Sequence, residues 1–283
     1  MKFGIYSDVH ASTISPRGEM YFSHSFVKAQ DYSAYIRREG AEFSICLGDI
    51  CEYTGDVQTD EEALDRAMGP RMWGRHPYIH VLGNHDVAFG TKAEFYARVK
   101  DPFRSRPGMP ANFRPPVPPS IPVAPADSPY FSFVRDGWKF VVLDTNYDKS
   151  GASIEGKLVR ATTYINNAQL EWLARTLSDG MRAIILTHAN LDPREVEGQA
   201  HPCVLGNAAE VRAILEQGNV KLVLQGHAHE GACSFCRGIP YITLRATVLG
   251  QYPEHYAIAV VDVQDNGIHI QGFVDQPSYD ICF

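Results

Sequence analysis

The chain has 283 residues, of which 45% are hydrophobic and 21% charged, the balance of a globular protein large enough to bury its own core. Its formal net charge of −7 excludes an overall basic surface of the kind that attracts nucleic acid or anionic membranes. No apolar run reaches the length of a membrane span, so we expect neither nucleic-acid binding nor membrane insertion.

Short apolar runs and helical periodicity predict the elements in chain order. The predicted strands are Phe3–Ser7, Phe43–Leu47, Tyr78–Leu82, Tyr130–Val134, Lys139–Leu143, Ala183–Leu186, Lys221–Leu224, Tyr241–Thr247, Ala257–Val263 and Ile268–Val274. The predicted helices are Ser25–Arg38, Asp60–Met68, Asn166–Leu177 and Asn207–Gln217. Strands alternate with helices early and dominate late, which predicts an α/β fold with a mixed pair of sheets and outer helices. We expect a single domain over residues 1–283.

The cysteines and the first residues indicate a compartment. The six cysteines are scattered, which favours free thiols over a disulfide framework. The strand-like run starting at Lys2 begins at once, without the charged and apolar leader of a signal peptide. These features predict a cytoplasmic protein.

Five short polar motifs each follow a predicted strand. They are Asp8-Val9-His10, Gly48-Asp49, Gly83-Asn84-His85-Asp86, His188 and Gly226-His227-Ala228-His229. Residues i and i+2 of a strand point to the same side, so the two polar residues of the first motif can reach one ion. Carboxylate, imidazole and carboxamide ligands together are typical of neighbouring metal ions. The five motifs therefore predict a dinuclear metal centre.

The order of these motifs over residues 8–229 resembles that of the calcineurin-like metallophosphoesterase superfamily, and within it the class III cyclic-nucleotide phosphodiesterases. The resemblance implies a four-layer α/β/β/α sandwich with two mixed β-sheets. It implies that Asp8, His10 and His229 hold a first metal and that Asn84, His188 and His227 hold a second. It also implies that Asp49 bridges both ions, since a carboxylate has two oxygens. Mixed nitrogen and oxygen ligands favour Mn, Fe or Zn over Mg.

The resemblance also implies two catalytic residues. His85 would face the substrate and protonate the leaving oxygen instead of binding a metal. Asp86 would orient His85 and raise its basicity, as a carboxylate beside an imidazole does. An interpretation in which His85 only fills space stays open.

The predicted activity is hydrolysis of a small phosphate ester, in which metal binding lowers the pKa of the attacking water from about 15.7 toward 7. The motifs favour a phosphodiesterase acting on a nucleotide-like or other small diester. A phosphomonoesterase and a non-catalytic scaffold of the same fold are the alternatives. One departure weakens the cyclic-nucleotide assignment: many class III diesterases have a second histidine after the fourth motif, where this chain has Ala189-Asn190. Asn190 could replace it as a polar contact.

A proline-rich segment, Asp101–Pro129, holds ten prolines. Such a stretch cannot form a helix or a central strand, so we expect it to run extended over the surface. It is either a tolerated insertion or a rim over the active site. In the second case Arg104, Arg106 or Arg114 would face the substrate.

Overall fold

Apolar strands and amphipathic helices alternate along most of the chain. The computed structural model of the protein describes residues 1–68, 77–100 and 128–283. The helices in these residues are α1 Ser25–Arg38, α2 Val57–Ala67, α3 Lys92–Lys100, α4 Asn167–Leu177 and α5 Ala208–Gln217. The strands are β1 Lys2–Tyr6, β2 Phe43–Cys46, β3 Tyr78–His80, β4 Phe131–Arg135, β5 Trp138–Val142, β6 Ala183–Thr187, β7 Glu195–Val196, β8 Gln199–Ala200, β9 Val220–Gln225, β10 Ala232–Cys236, β11 Ile239–Thr243, β12 Ala257–Gln264, β13 Gly267–Val274 and β14 Tyr279–Cys282.

Twelve of these strands form two six-stranded mixed sheets. The first sheet has the order β14-β13-β12-β1-β2-β3, in which β1, β2 and β3 are parallel and the other neighbours antiparallel. The second has the order β10-β11-β9-β6-β5-β4, with β11, β9, β6 and β5 parallel between two antiparallel edge strands. The short strands β7 and β8 form a separate hairpin.

The two sheets pack face to face through an aromatic core. Phe3 of β1 stacks on Phe43 of β2 with ring centroids 5.3 Å apart. Phe140 of the second sheet meets both rings edge-on, at 5.5 and 5.9 Å. Each fully buried aromatic ring of this kind stabilises the fold by about 1.5–3 kcal/mol. This aromatic contact sets how the two sheets lie on each other, with the parallel strands of both sheets ending at the same edge.

Helices cover the two outer faces. On the first sheet α1 packs so closely that a Cβ added at Gly4 would lie 2.5 Å from the Tyr32 hydroxyl. On the second sheet, Leu173 of α4 and Val211 of α5 join Ile185 in a second buried cluster. The protein is therefore a four-layer α/β/β/α sandwich, as predicted.

The predicted elements all have counterparts in the structure, with two kinds of difference. Five short elements, α3, β7, β8, β10 and β14, were not predicted, because their length or periodicity gives a weak signal. The strand predicted to reach Thr247 ends at Thr243 instead. Beyond it, the Thr247 and Val248 amides donate to the carbonyls of Ser7 and Asp8. This segment therefore leaves its own sheet to support the end of β1.

Two predictions concern regions or properties beyond these elements. The proline-rich segment lies outside the described residues, apart from residues 128 and 129, and both interpretations of it stay predictions. Within the described ranges, none of the helices combines the length and apolar character that crossing a membrane requires.

Candidate metal centre

Seven polar side chains from both sheets converge at one edge of the sandwich. They follow β1, β2 and β3 in the first sheet and β6 and β9 in the second, where the carboxyl ends of parallel strands meet. They are Asp8, His10, Asp49, Asn84, His188, His227 and His229. Five are buried, and His227 and His229 are partly exposed. The site is thus open on the side of the fifth motif.

The side chains form two overlapping sets whose potential ligand atoms lie within 4.8 Å of one another. The sets are Asp8, Asp49, His188 and His227, and Asp8, His10 and His229. Asn84 adjoins the first set, because its Oδ1 lies 3.2 Å from His188 Nε2. The structure thus brings all seven predicted ligands together. Their distribution between two ions stays a prediction.

One oxygen of Asp49 faces both sets. Asp49 Oδ2 lies 3.6 Å from His10 Nε2 and 3.3 Å from His188 Nε2. The other oxygen, Oδ1, accepts a hydrogen bond from the backbone N–H of His85 at 2.8 Å. The sequence suggested that Asp49 uses its two oxygens for the two ions. In the structure a single oxygen, Oδ2, lies near ligand atoms of both sets.

The backbone is strained at four of the predicted ligands. Asp8, His10, Asp49 and His227 have positive φ angles of 51°, 43°, 54° and 66°. Residues with a Cβ rarely adopt this left-handed region, which costs about 1–3 kcal/mol each where the surroundings enforce it. Such strain is concentrated at functional sites, and here it coincides with the metal motifs.

Two predicted ligand atoms have the environment expected for metal coordination. Asp8 Oδ1 and His10 Nε2 are buried and have no hydrogen-bond partner among the described residues. Leaving a buried polar atom unsatisfied costs about 1–3 kcal/mol. His229 Nε2 also approaches Asp8 Oδ1, at 3.4 Å. Cations among these carboxylate and imidazole atoms would satisfy them, so the residues present fit a pair of Mn, Fe or Zn ions.

Glycines of the motifs let the turns approach closely. A Cβ at Gly83 would lie 2.1 Å from Asp49 Oδ1, and one at Gly226 would lie 2.1 Å from Ser7 Oγ. Real side chains do not tolerate such distances, so larger residues would displace the carboxylates of the second and first motifs.

The clustered charges shift the pKa of several groups. Burial alone would lower the pKa of His10, but the nearby carboxylates of Asp8, Glu52 and Asp49 outweigh it and raise the pKa to about 10. Burial is likewise outweighed at His188, where the charge of Asp49 raises the pKa to about 9. Burial and the neighbouring charge of His188 lower the pKa of His227 to about 4.

These shifts predict proton release when metal binds. Below their raised pKa values, His10 and His188 of the metal-free protein are protonated, whereas a metal ligand must be neutral. Binding of two ions at about pH 7.5 should therefore release about two protons from these histidines, in addition to the proton lost by metal-bound water, and the histidine contribution should disappear as the pH rises through 9 to 10. Calorimetric titration in buffers of different ionisation enthalpy measures this number. A release near zero at pH 7.5 would show that the two histidines are already neutral.

His85 lies beside this cluster, next to a carboxylate that the sequence did not reveal. Its Nδ1 accepts a hydrogen bond from the Tyr53 backbone N–H at 3.2 Å and lies 3.3 Å from Glu52 Oε2. Burial lowers the pKa of His85, while the charges of Asp49 and Glu52 act in the opposite direction. In the neutral ring the proton then belongs on Nε2, since Nδ1 accepts. Nε2 has no protein partner in the ranges that the structure describes.

Glu52 connects His85 with the metal ligands. Its Oε2 lies 2.8 Å from His10 Nδ1, a hydrogen bond that leaves His10 Nε2 for the cluster. His10, Glu52 and His85 thus form a third group whose potential ligand atoms lie within 4.8 Å of one another, and in it His10 Nδ1 and Glu52 Oε2 are hydrogen-bonded. One indication in the sequence that Glu52 belongs to the site is that Glu52 lies three residues after Asp49 in the same turn.

Asp86 differs from the prediction. Its carboxylate accepts from the backbone N–H groups of Gly83, Asp49 and Ile50 at 2.9–3.0 Å, and it lies 2.8 Å from His80 Nε2. The carboxylate beside the His85 ring is Glu52, so the predicted pairing of Asp86 with His85 is wrong. Asp86 instead ties the third motif to the second.

Asn190 also has a structural contact. Its side-chain amide donates to the Gly226 carbonyl at 3.0 Å and lies 3.3 Å from Thr243 Oγ1. This side chain supports the turn before His227 and is not part of either ligand set.

Comparison with known proteins gives a family and a fold. The family model described as calcineurin-like phosphoesterase matches residues 1–231. No curated protein matches the chain. A dimetal phosphatase from Danio rerio superposes with a TM-score of 0.78 at 19% identity, and the match covers 100% of this chain and 98% of that one.

Two further solved structures have lower similarity. The purple acid phosphatase PPD1 from yellow lupin seeds has a TM-score of 0.58 at 12% identity, covering 99% of this chain and 52% of that one. GAP50, the anchor in the inner membrane complex of Plasmodium, has a TM-score of 0.57 at 12% identity, covering 100% and 89%. At these identities the likeness shows the fold alone.

Proposed function

Since the chain belongs to the calcineurin-like phosphoesterase family, we propose that it hydrolyses small phosphate esters at a pair of metal ions and prefers a diester. The observation that supports this most directly is the convergence of seven ligand-type side chains around Asp49 Oδ2. The preference for a diester rests on the resemblance of the motifs to those of diesterases.

In this proposal Asp8, His10 and His229 would hold one ion, Asn84, His188 and His227 would hold the other, and Asp49 would serve both. When bound, such ions neutralise charge on the phosphoryl oxygens and lower the pKa of the attacking water. Glu52 keeps His10 in the tautomer whose Nε2 can bind metal, since the Nδ1 proton is donated to Oε2.

His85 acts on the leaving group. The ester P–O bond breaks as a new P–O bond forms from water, and the leaving oxygen needs a proton. His85 would supply that proton from Nε2 of the doubly protonated ring, and loss of the proton to the leaving oxygen leaves the neutral ring. In the doubly protonated ring the Nδ1–H faces Glu52 Oε2, 3.3 Å away, instead of accepting from Tyr53.

The second candidate is a phosphomonoesterase. The solved structures of similar fold include proteins described as phosphatases, from Danio rerio and yellow lupin. A monoester carries one more negative charge than a diester, and two metal ions with His85 nearby could accept it. The ratio of kcat/KM for a diester to that for a monoester decides between these two candidates.

The test compares bis(p-nitrophenyl) phosphate with p-nitrophenyl phosphate on chelated protein reloaded with Mn, Fe, Zn or Mg. We expect chelation to abolish hydrolysis, and Mn, Fe or Zn to restore it better than Mg. The diester should have the higher kcat/KM. Hydrolysis that survives chelation would contradict the metal mechanism, and a higher kcat/KM for the monoester would favour a phosphatase. Inactivity of a fully metal-loaded protein on all esters would favour a scaffold.

A further inference from the structure

Glu52 has an inner and an outer oxygen with different partners. The inner oxygen, Oε2, contacts His10 and His85 as described above. The outer oxygen, Oε1, lies 3.4 Å from a guanidinium nitrogen of Arg17 and 4.0 Å from one of Arg160. Two cationic side chains therefore meet at the mouth of the metal cluster, on the side where His85 lies.

The two arginines reach this point from separate loops. Arg17 lies in the loop that follows the first motif, and its guanidinium is 5.6 Å from the centre of the Phe22 ring. Arg160 lies in the loop between β5 and α4 and directly follows Val159. The Val159 carbonyl is 3.4 Å from Asn84 Nδ2, so this loop adjoins the predicted metal ligand. Both loops thus lie next to the site.

The arginines have more positive charge and more donors than Glu52 can satisfy. In the described part of the chain, Glu52 is the one carboxylate within 4.0 Å of either guanidinium, and its charge is already shared with His10 and His85. Each guanidinium has five N–H donors in a planar fork. The Arg17 and Arg160 side chains are 60% and 68% exposed, whereas that of Glu52 is 4% exposed. Most of these donors therefore face solvent above the site.

We propose that Arg17 and Arg160 bind a second phosphate, carried by the leaving group of the substrate. The inference rests on the proposed function. Glu52 contacts His85 with one oxygen and both arginines with the other, so the arginines lie close to the residue proposed to serve the leaving oxygen. Guanidinium forks match phosphate oxygens in a bidentate manner, which a single ammonium does not. The preferred substrates are then diesters of diphosphate, or diesters whose leaving alcohol is itself phosphorylated.

The test is the ratio of kcat/KM for uridine diphosphate glucose to that for bis(p-nitrophenyl) phosphate. The first expels a phosphorylated sugar, and the second expels an uncharged phenol or its anion without a phosphate. We expect Arg17→Gln and Arg160→Gln each to lower this ratio about tenfold, mainly through KM, and the double variant to lower it further. Arg→Lys variants should recover only part of the loss.

Arg175→Gln is the matched control. Arg175 lies in the last turn of α4, pairs with Glu171 and is 70% exposed, so the variant removes one surface positive charge away from the motifs. It should leave the substrate ratio unchanged. An unchanged ratio in Arg17→Gln and Arg160→Gln, whether both activities fall together or neither falls, would overturn the proposal. If the two variants lower kcat/KM only for substrates whose leaving group carries a carboxylate, such as p-carboxyphenyl esters, the assignment to phosphate is also overturned.

An equilibrium measurement separates this proposal from the proposed function. Calorimetry on the metal-loaded protein compares α,β-methylene adenosine diphosphate, which has two phosphorus groups, with methylphosphonate, which has one. The two Arg→Gln substitutions should weaken the first ligand about tenfold more than the second. Equal weakening would overturn the arginine site even if the protein is an active esterase. Selective weakening in a protein that hydrolyses none of the esters would retain the site and reject the esterase.

Discussion

Asp49→Ala should empty both metal positions and lower kcat by about a thousandfold or more. The reason is that Asp49 Oδ2 lies 3.6 Å from His10 Nε2 and 3.3 Å from His188 Nε2, so one side chain serves both ligand sets. Two bound cations supply several kcal/mol of transition-state charge stabilisation, and about 1.4 kcal/mol corresponds to tenfold in rate. The measurement is elemental analysis of the purified variant together with kcat.

Two further variants control this result. Asp148→Ala removes an exposed carboxylate that lies outside both ligand sets, and it should retain full metal content. Asp49→Asn keeps the shape and the hydrogen bond from the His85 amide but removes the charge, so it should retain less metal than the wild type and more than Asp49→Ala. Two ions per chain in Asp49→Ala would exclude the bridging role.

His85→Gln should keep both metals and lower kcat by about 10²–10⁴, the usual range for general acid catalysis. The loss should be smaller for nitrophenyl esters, because a good leaving group needs little protonation. This follows from the position of His85 beside the cluster, with Nδ1 held by the Tyr53 amide and Nε2 available to the substrate. The measurement is kcat for a nitrophenyl ester and an alkyl ester, with metal content determined on the same sample.

Glu52→Gln tests both contacts of the carboxylate beside His85. Glu52 Oε2 contacts both His10 and His85, so this variant should lose activity and also bind metal less tightly.

A fall of metal content in His85→Gln itself would identify His85 as a ligand. An equal loss for good and poor leaving groups would contradict its role in protonation.

Local patterns predicted the strands, the outer helices and the polar motifs at the strand ends, and the resemblance to the phosphoesterases implied the four-layer arrangement and the roles of the ligands. Apolar runs ending in a polar motif identify strands and the sheet edge at which they end, and parallel strands bring those ends together. The resemblance of the motif order to that of the phosphoesterases assigned residues as distant as Asp8 and His229 to one site. The strands that contain Phe3 and Phe43 are likewise visible in the sequence as nearly continuous apolar runs.

The contacts around His85 could not be predicted, because adjacent residues of a turn point in different directions. Asp86 begins a 3₁₀ turn, Asp86–Phe89, in which each residue rotates by about 120° from the last. The Asp86 carboxylate therefore faces the backbone of Asp49 and not the neighbouring ring. Glu52 reaches that ring from another loop, and no sequence periodicity relates the two.

The predicted ligands belong to two different sheets, which makes the metal pair a cross-link of the fold. The first sheet contributes Asp8, His10, Asp49 and Asn84, and the second contributes His188, His227 and His229. An excursion that separates the sheets would break the coordination of both ions at once. Ligands that bind only the native state stabilise it by about 2.7 kcal/mol at a hundred times their Kd. The metal supply of the cell would then affect the stability of this protein as well as its catalytic capacity.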